Sequence, residues 1–335
     1  MFRRLLSTTT RVAHDNPLGL PKNTARPPPQ IPRRSGGIEP QRSIPNVRHV
    51  LLVSSCKGGV GKSTIAANIA TALSMLRLRV GLLDLDIFGP SVPTLMGLKN
   101  ATEPDLSPSG ALLPVTNHAI PTMSMAYLLP PSSPTSSQED TPVVWRGLIV
   151  QKAVQQLLFQ VDWSFSGKYP PLDVLVVDLP PGTGDIPLSV GQLVKIDGTV
   201  LVSTPQDVSL SDTRRGISMF RKLNIPLTGI VLNNAYYLCP TCTNPTPQYI
   251  FGSPNSFHTT AQALSLPVLA ELPLIPGVSA SGDRGVPYVL GAIPSTDGEG
   301  GPQWLGRMKD VARHTWEAVQ VKRKAREEAE AQMRG

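Results

Sequence analysis

From His49 onward, short unbroken apolar runs alternate with stretches of helical period. His49–Ser55 (HVLLVSS), Arg79–Asp84 (RVGLLD), Asp173–Asp178 (DVLVVD), Gly198–Thr204, Leu227–Asn233 and Pro267–Leu272 each read as a strand buried on both faces. Helices are expected from the end of a Gly-rich turn through about Arg77, over Trp145–Val161, Ser209–Leu223 and His258–Leu264, and over Gln303–Gln320. In the second of these, Leu148, Ile149, Ala153, Val154, Leu157 and Leu158 recur at the spacing of one helix face. Such alternation predicts the α/β class, with a mostly parallel sheet covered by helices on both faces. Residues 100–142 break the pattern: a short hairpin is expected around 111–126, followed by a solvent loop containing Pro130-Pro131-Ser132-Ser133-Pro134.

The segment before His49 has a different character. Met1–Val12 carries arginines, hydroxyl and apolar residues, and no acid precedes Asp15. Coiled as a helix, it places Phe2, Leu5, Leu6 and Thr9 on one side, the composition of a mitochondrial transit peptide rather than of a secretory signal. Residues 15–48 are Pro-rich and patternless. Residues 1–47 are therefore expected to be a transit peptide with a disordered linker, 48–320 a folded domain and 321–335 a charged helical tail. A matrix location follows from that address.

Composition narrows the function. The net charge of +7 resides wholly in residues 1–49, which hold nine Lys/Arg against Asp15 and Glu39. The body is neutral, so no nucleic-acid partner is expected. No run of about 18 apolar residues occurs, so no transmembrane segment is expected. Three cysteines in 335 residues are too few for a disulfide scaffold. The 35 prolines, about twice the usual share, must sit largely in loops and tails.

The first chemical motif is Ser55-Cys56-Lys57-Gly58-Gly59-Val60-Gly61-Lys62-Ser63-Thr64, between a strand and a helix. Glycines there free backbone N–H groups to wrap phosphate oxygens. Lys62 would reach the β- and γ-phosphates of a nucleotide, and Ser63 would hold Mg²⁺. The usual first glycine of such a loop is replaced by Cys56. Two carboxylate turns, Asp84-Leu85-Asp86-Ile87-Phe88-Gly89-Pro90-Ser91 and Asp178-Leu179-Pro180-Pro181-Gly182-Thr183-Gly184-Asp185, follow strand ends, where ligands bind in open α/β sheets. The second turn resembles the switch II turn of P-loop NTPases, which implies that Asp178 holds Mg²⁺ through water and that the glycines let the turn move.

Cys239-Pro240-Thr241-Cys242 follows the fifth strand. The spacing lets two thiolates share a metal, yet tetrahedral zinc or a [4Fe–4S] cluster wants four ligands. A two-fold dimer meets that count by bringing two loops together at its axis. Soft thiolates suit either metal, so the spacing leaves the choice open. A thioredoxin-like redox pair would sit at a helix N-terminus, whereas this one leads into a Pro-rich loop. Two buried structural cysteines would want apolar neighbours, and these neighbours are polar.

In order, KGGVGKST, DLDIFGPSVPTLMG (84–97), WRG (145–147), DLPPGTGD (178–185), STPQDVSLSDTRRGI (203–217), CPTC, IFG (250–252) and GDRGVPYV (282–289) resemble the Mrp/ApbC/Nbp iron–sulfur carrier ATPases. The match spans roughly residues 48–290. It implies a SIMIBI-type P-loop NTPase with a deviant Walker A loop, acting as a homodimer that binds ATP, bridges a [4Fe–4S] cluster and delivers it to apo-proteins. With the N-terminal arm, the chain is most similar to the mitochondrial branch serving respiratory complex I assembly. That implies upstream cluster-assembly machinery as supplier and complex I subunits as recipients.

The resemblance makes Cys239 and Cys242 the cluster ligands. Lys57, Gly58, Gly59, Val60, Gly61, Lys62, Ser63 and Thr64 become the nucleotide-binding loop, with Lys57 reaching the partner's nucleotide in the manner of an arginine finger. Asp86 would position the attacking water, Asp178 would serve as the Walker B carboxylate, and Asn233 would contact adenine. Hydrolysis is expected to be slow, since it would time transfer. Cys56, Asn234, Val278-Ser279 and an insertion at 129–142 depart from the pattern, and Cys56 either tightens the loop or adds an oxidation-sensitive thiol. Trp145-Arg146-Gly147 reads as a target contact or a helix start. Rival readings are a positioning ATPase of the ParA/MinD kind, an electron-transfer ATPase and a zinc-stapled dimeric ATPase without cluster transfer. The first wants a basic surface or a lipid-facing helix, and the second wants two separated cluster cysteines in each chain.

Overall fold

The computed structural model describes residues 41–87, 89–128, 147–242, 244–292 and 297–334. The chain separates into residues 1–38 and residues 39–335. The first unit lies outside the described residues, as do the expected transit segment up to residue 40, the 129–142 insertion, Trp145 and Arg146.

Eight strands form one sheet in the order β3-β4-β2-β5-β1-β6-β7-β8. They are β1 (Val47–Ser54), β2 (Val80–Asp84), β3 (Val115–Asn117), β4 (Ile120–Ser124), β5 (Leu172–Asp178), β6 (Gly198–Ser203), β7 (Gly229–Leu232) and β8 (Val268–Glu271). All pairings are parallel except β3 with β4. The helices are α1 (Lys62–Met75), α2 (Val92–Leu95), α3 (Gly147–Phe159), α4 (Asp185–Leu193), α5 (Asp207–Lys222), α6 (Asn255–Ala263), α7 (Pro276–Asp283), α8 (Tyr288–Gly291) and α9 (Gly300–Arg334).

Strand side chains alternate between two cores, as a period of two requires. Leu51, Val53, Val174, Val176, Val200, Val202 and Val231 pack with Ile65 and Ile69 of α1 and Trp304 and Met308 of α9. Val50, Leu52, Leu175, Val177, Leu201 and Leu232 face the other way, toward Val154 and Leu157 of α3, Val190 of α4, Phe220 of α5 and Phe257 of α6. Apolar burial on both faces is what the unbroken strand runs predicted.

The expected hairpin is built from β3 and β4, joined at His118 and Ala119, whose φ angles of 50° and 60° make the primed turn that matches strand twist. Its second strand then joins β2 in parallel. Several elements escaped the pattern reading. Helix α4, which starts where the Asp178–Asp185 turn ends, has no counterpart in the pattern reading and carries Pro187 in its first turn. Proline is tolerated in a first helical turn. The short helices α2, α7 and α8 were likewise missed, and α7 opens on a proline. The expected closing helix over Gln303–Gln320 and the expected helical tail after it form one continuous helix running through Arg334.

Candidate functional site

Between Ser54 and Lys62 the chain must reverse tightly over the end of β1. Gly59 and Gly61 supply this with φ of 77° and 84°, a region costly for other residues. At Gly61 a Cβ would also lie 2.4 Å from Asn233 Nδ2, so glycine is required there twice over. Gly61 is the N-cap of α1, and no side chain caps that helix. The first-turn N–H groups are thus left to serve a ligand.

A cleft of about 510 Å³ opens at this loop, lined by Gly58, Gly59, Gly61, Lys62, Ser63, Thr64 and Asp86. Lys57 does not line it and is half-buried beside it. The Val60 side chain turns into the core, and its carbonyl accepts a hydrogen bond from Asn233 Nδ2 at 2.9 Å. A second cleft of about 280 Å³ continues from Gly59, Gly61 and Thr64 past Asn233 and Asn234 to Pro273, Leu274, Ile275 and Val278. The first is bordered by the glycine loop and the start of α1, whose N–H groups suit phosphates, and the second continues from it past Asn233, leaving room for a base. Of the nucleotide-site residues singled out in the sequence, Gly58, Gly59, Gly61, Lys62, Ser63, Thr64, Asp86 and Asn233 line these clefts, while Lys57, Val60 and Asp178 do not.

Asp84 and Asp178 end adjacent strands as register partners. Lys62 Nζ donates to Asp178 Oδ1 at 2.5 Å and lies 3.0 Å from Ser63 Oγ, with both members of the ion pair buried. Burial pushes the Asp178 carboxyl up while Lys62 and then the Ser63 hydroxyl pull it down. Its Oδ2 is buried without a hydrogen-bond partner among the described residues. The Ser63 hydroxyl and the orphaned Asp178 oxygen are hard oxygen donors of the kind that suits Mg²⁺.

Asp84 was not singled out in the sequence. Its oxygens accept the backbone N–H groups of Asp86 at 2.9 Å and Val92 at 3.2 Å, so it shapes the turn that carries Asp86. Burial, and then the neighbouring Asp178, raise its carboxyl to about 7. Asp283, which borders both clefts, lies within the GDRGVPYV stretch quoted above but was given no role there.

Cys56 has a structural explanation. Its thiol packs against Gly216 of α5, where an added Cβ would lie 2.1 Å from Sγ. Burial raises the thiol to about 11, against a smaller lowering by a hydrogen bond with the Gly216 backbone. Because the thiolate is the reactive form, this packing favours the tightening alternative over the oxidation-sensitive one. Gly216→Ala is expected to cost about 1–3 kcal/mol by overpacking. Adding Cys56→Ala should restore stability to within about 0.5 kcal/mol. Equal losses in the single and double variants, measured by urea unfolding, would contradict the contact.

The cysteine loop leaves the same sheet edge. After β7 come Asn233 and Asn234, the latter at φ 54°, and then the buried Ala235, Tyr236 and Leu238. An antiparallel bridge between Tyr237 and Gln248, with hydrogen bonds of 2.8 and 2.9 Å, closes the loop. Cys239 is half-buried and Cys242 exposed, and Tyr249 and Ile250 beside the bridge are 49% and 59% exposed. Among the described residues no group of three or more His, Cys, Asp or Glu is placed to hold a metal ion.

Hydrogen bonds from Thr241, whose hydroxyl lies 3.3 Å from Sγ, and from Cys242 bring the Cys239 thiol down to about 7, and Cys239 in turn raises Cys242. In metal-free protein, Cys239 should alkylate with a midpoint near pH 7, and Cys242 only above an ordinary thiol's range. Peptide-resolved iodoacetamide kinetics showing a shared midpoint would contradict this.

Comparison with known proteins places these features in context. The family described as ParA, NUBPL iron-transfer P-loop NTPase, matches residues 46–299. A mouse protein named iron-sulfur cluster transfer protein NUBPL is 44% identical over 265 residues, covering 78% of this chain and 77% of the mouse protein. An Arabidopsis thaliana protein named iron-sulfur protein required for NADH dehydrogenase, mitochondrial, is 40% identical, covering 76% of each chain. A solved nucleotide-binding protein from Archaeoglobus fulgidus in complex with ADP is 32% identical with a TM-score of 0.59, covering 72% of this chain and 88% of that one.

Proposed function

We propose that this chain, which belongs to the NUBPL iron-transfer family of ParA-type P-loop NTPases, is a nucleotide-gated carrier of iron–sulfur clusters. The observation that carries the reading is one of connectivity. Asn233, in the wall of the base-side cleft, and Cys239, the first thiol of the pair, are six residues apart on one continuous segment leaving β7. Whatever fills the cleft therefore acts on the root of the cysteine loop.

ATP is the substrate at the cleft. Its phosphates take the N–H groups of Gly58 to Thr64, and Lys62 exchanges its Asp178 partner for phosphate oxygens. Mg²⁺, held by Ser63 and through water by Asp178, would supply charge neutralisation at the phosphates. Asp86, which lines the same cleft as the lysine, orients the attacking water. Lys57, which does not line its own chain's cleft, reaches the nucleotide of a second copy.

The cargo is a [4Fe–4S] cluster. Two thiols in each chain supply half of its ligands, so Cys239 and Cys242 of two copies meet in a homodimer. The exposed Tyr249 and Ile250 give that face its apolar rim. Upstream assembly machinery loads the dimer and apo iron–sulfur proteins unload it, and hydrolysis is slow because it times release. The Arabidopsis relative's name supports mitochondrial recipients that include respiratory complex I subunits. With the arginine-bearing arm at residues 1–47, it also supports a matrix location and a transit function for that arm. Among the described residues no helix is long and apolar enough to cross a membrane.

The test is transfer. Chain loaded anaerobically with iron and sulfide should activate an apo-enzyme that requires a [4Fe–4S] cluster, at a rate that changes with ATP. Activation no faster than that from free iron and sulfide would overturn the carrier reading.

A further inference from the structure

The base-side cleft and the cysteine loop are also joined by a route that bypasses β7. On the cleft side, Pro273, Leu274, Ile275 and Val278 form the wall. Gly277, the second residue of α7, donates its N–H to Asp297 Oδ1 at 3.2 Å. A Cβ on Gly277 would lie 2.1 Å from the other carboxylate oxygen, so helix and carboxylate are in direct contact. That second oxygen accepts the Tyr288 hydroxyl at 2.5 Å, and Asp297 is only 6% exposed. The carboxylate is thereby fixed from two helices, α7 and α8.

The next residue reaches the cysteines. Gly298, at φ 57°, lies against Pro240, between Cys239 and Thr241, so closely that a Cβ would be 2.6 Å from Pro240 Cα and 3.0 Å from its carbonyl oxygen. Two further contacts run parallel to this one. Leu274 donates its N–H to the Tyr236 carbonyl at 2.7 Å, and Gly300 is wedged between Ile275 and Leu238. Contacts this tight have no slack to absorb a shift, so a displacement of the cleft wall must be passed on.

We infer that Asp297 and Gly298 form a strut that sets the position of the Cys239–Cys242 loop according to what occupies the base-side cleft. Asp297 senses the start of α7 and Gly298 bears on the proline inside the cysteine motif. Both are positioning residues, since neither touches phosphate or metal. The inference rests on the reading of the cleft as a nucleotide site but not on the identity of the metal.

The experiment uses the metal-free full chain and ADP. The alkylation rates of Cys239 and Cys242 are followed peptide by peptide at fixed pH, with ADP affinity measured in parallel. In the wild type, saturating ADP should change the Cys239 rate by about fivefold or more, the low end of ordinary site-to-site coupling. Gly298→Ala, which pushes a methyl into Pro240, should alter the basal rate and abolish the ADP response. Tyr288→Phe, which removes one support of Asp297 and keeps the ring, should leave the basal rate alone and shrink the response. Should Gly298→Ala not fold, Tyr288→Phe decides alone. ADP binding with no change in wild-type thiol rates overturns the strut while leaving the nucleotide site standing. A full response in Tyr288→Phe does the same. A wild type that fails to bind ADP overturns the nucleotide reading and the strut together.

Discussion

Replacing Lys62 by methionine is expected to slow ATP hydrolysis by about 10²–10³-fold, the usual penalty for removing a positioned electrostatic stabiliser. The same change should destabilise the nucleotide-free protein. In the wild type the Lys62 ammonium sits 2.5 Å from an Asp178 carboxylate with no solvent exposure. Methionine fills most of the volume and removes the charge, leaving a buried carboxylate whose loss of partner costs about 3–5 kcal/mol when ionised.

That cost depends on pH, and its sign follows from the raised carboxyl. Burial already lifts Asp178, and without Lys62 it rises further. A folded state that holds its proton more tightly than the unfolded chain loses stability as pH climbs above the unfolded value. Asp84, raised from 3.8 to about 7, adds the same slope in the wild type. Urea unfolding should therefore show Lys62→Met close to wild type at about pH 4 and far below it at about pH 8. A deficit that stays constant across that range would contradict the buried pair.

The second large effect is expected at the cysteine loop. Cys239→Ser and Cys242→Ser each replace a soft thiolate with a hard hydroxyl, removing two of the four ligands available to a dimer. Bound metal should fall to a tenth or less of wild type, about a 1.4 kcal/mol loss or more in binding. ADP affinity and unfolding midpoint should stay near wild type, because Cys239 is half-buried, Cys242 is exposed and neither lines the nucleotide clefts. Metal analysis beside a nucleotide titration checks both halves. Loss of ADP binding in either variant would mean that the cysteines support the fold rather than a cargo.

Much of the nucleotide site was legible in the sequence because its geometry is local. Gly59 and Gly61 are demanded by backbone angles within a few residues of Lys62, and Asp178 ends an apolar run at the edge where ligands bind. The two-core sheet was legible for the same reason, since continuous apolar strands need cover on both faces. What stayed hidden depends on distant partners. Cys56 looked like a departure that could add a reactive thiol, until Gly216, 160 residues on, proved to be the hollow that accepts it. Asp84 serves backbone groups eight and fewer residues away, but only in the folded turn. Gly298, just before α9, and Pro240, in the loop leaving β7, are 58 residues apart and meet only in the fold.

The central claim, that two copies of this chain carry an iron–sulfur cluster between their paired cysteines, meets its most direct test in one analysis. The full chain is purified without oxygen, its solution mass is determined, and iron, acid-labile sulfide and zinc are counted. About four iron and four sulfide for every two chains is the predicted result. About one zinc for every two chains, with no sulfide, would contradict it and leave a zinc-stapled dimeric ATPase in its place.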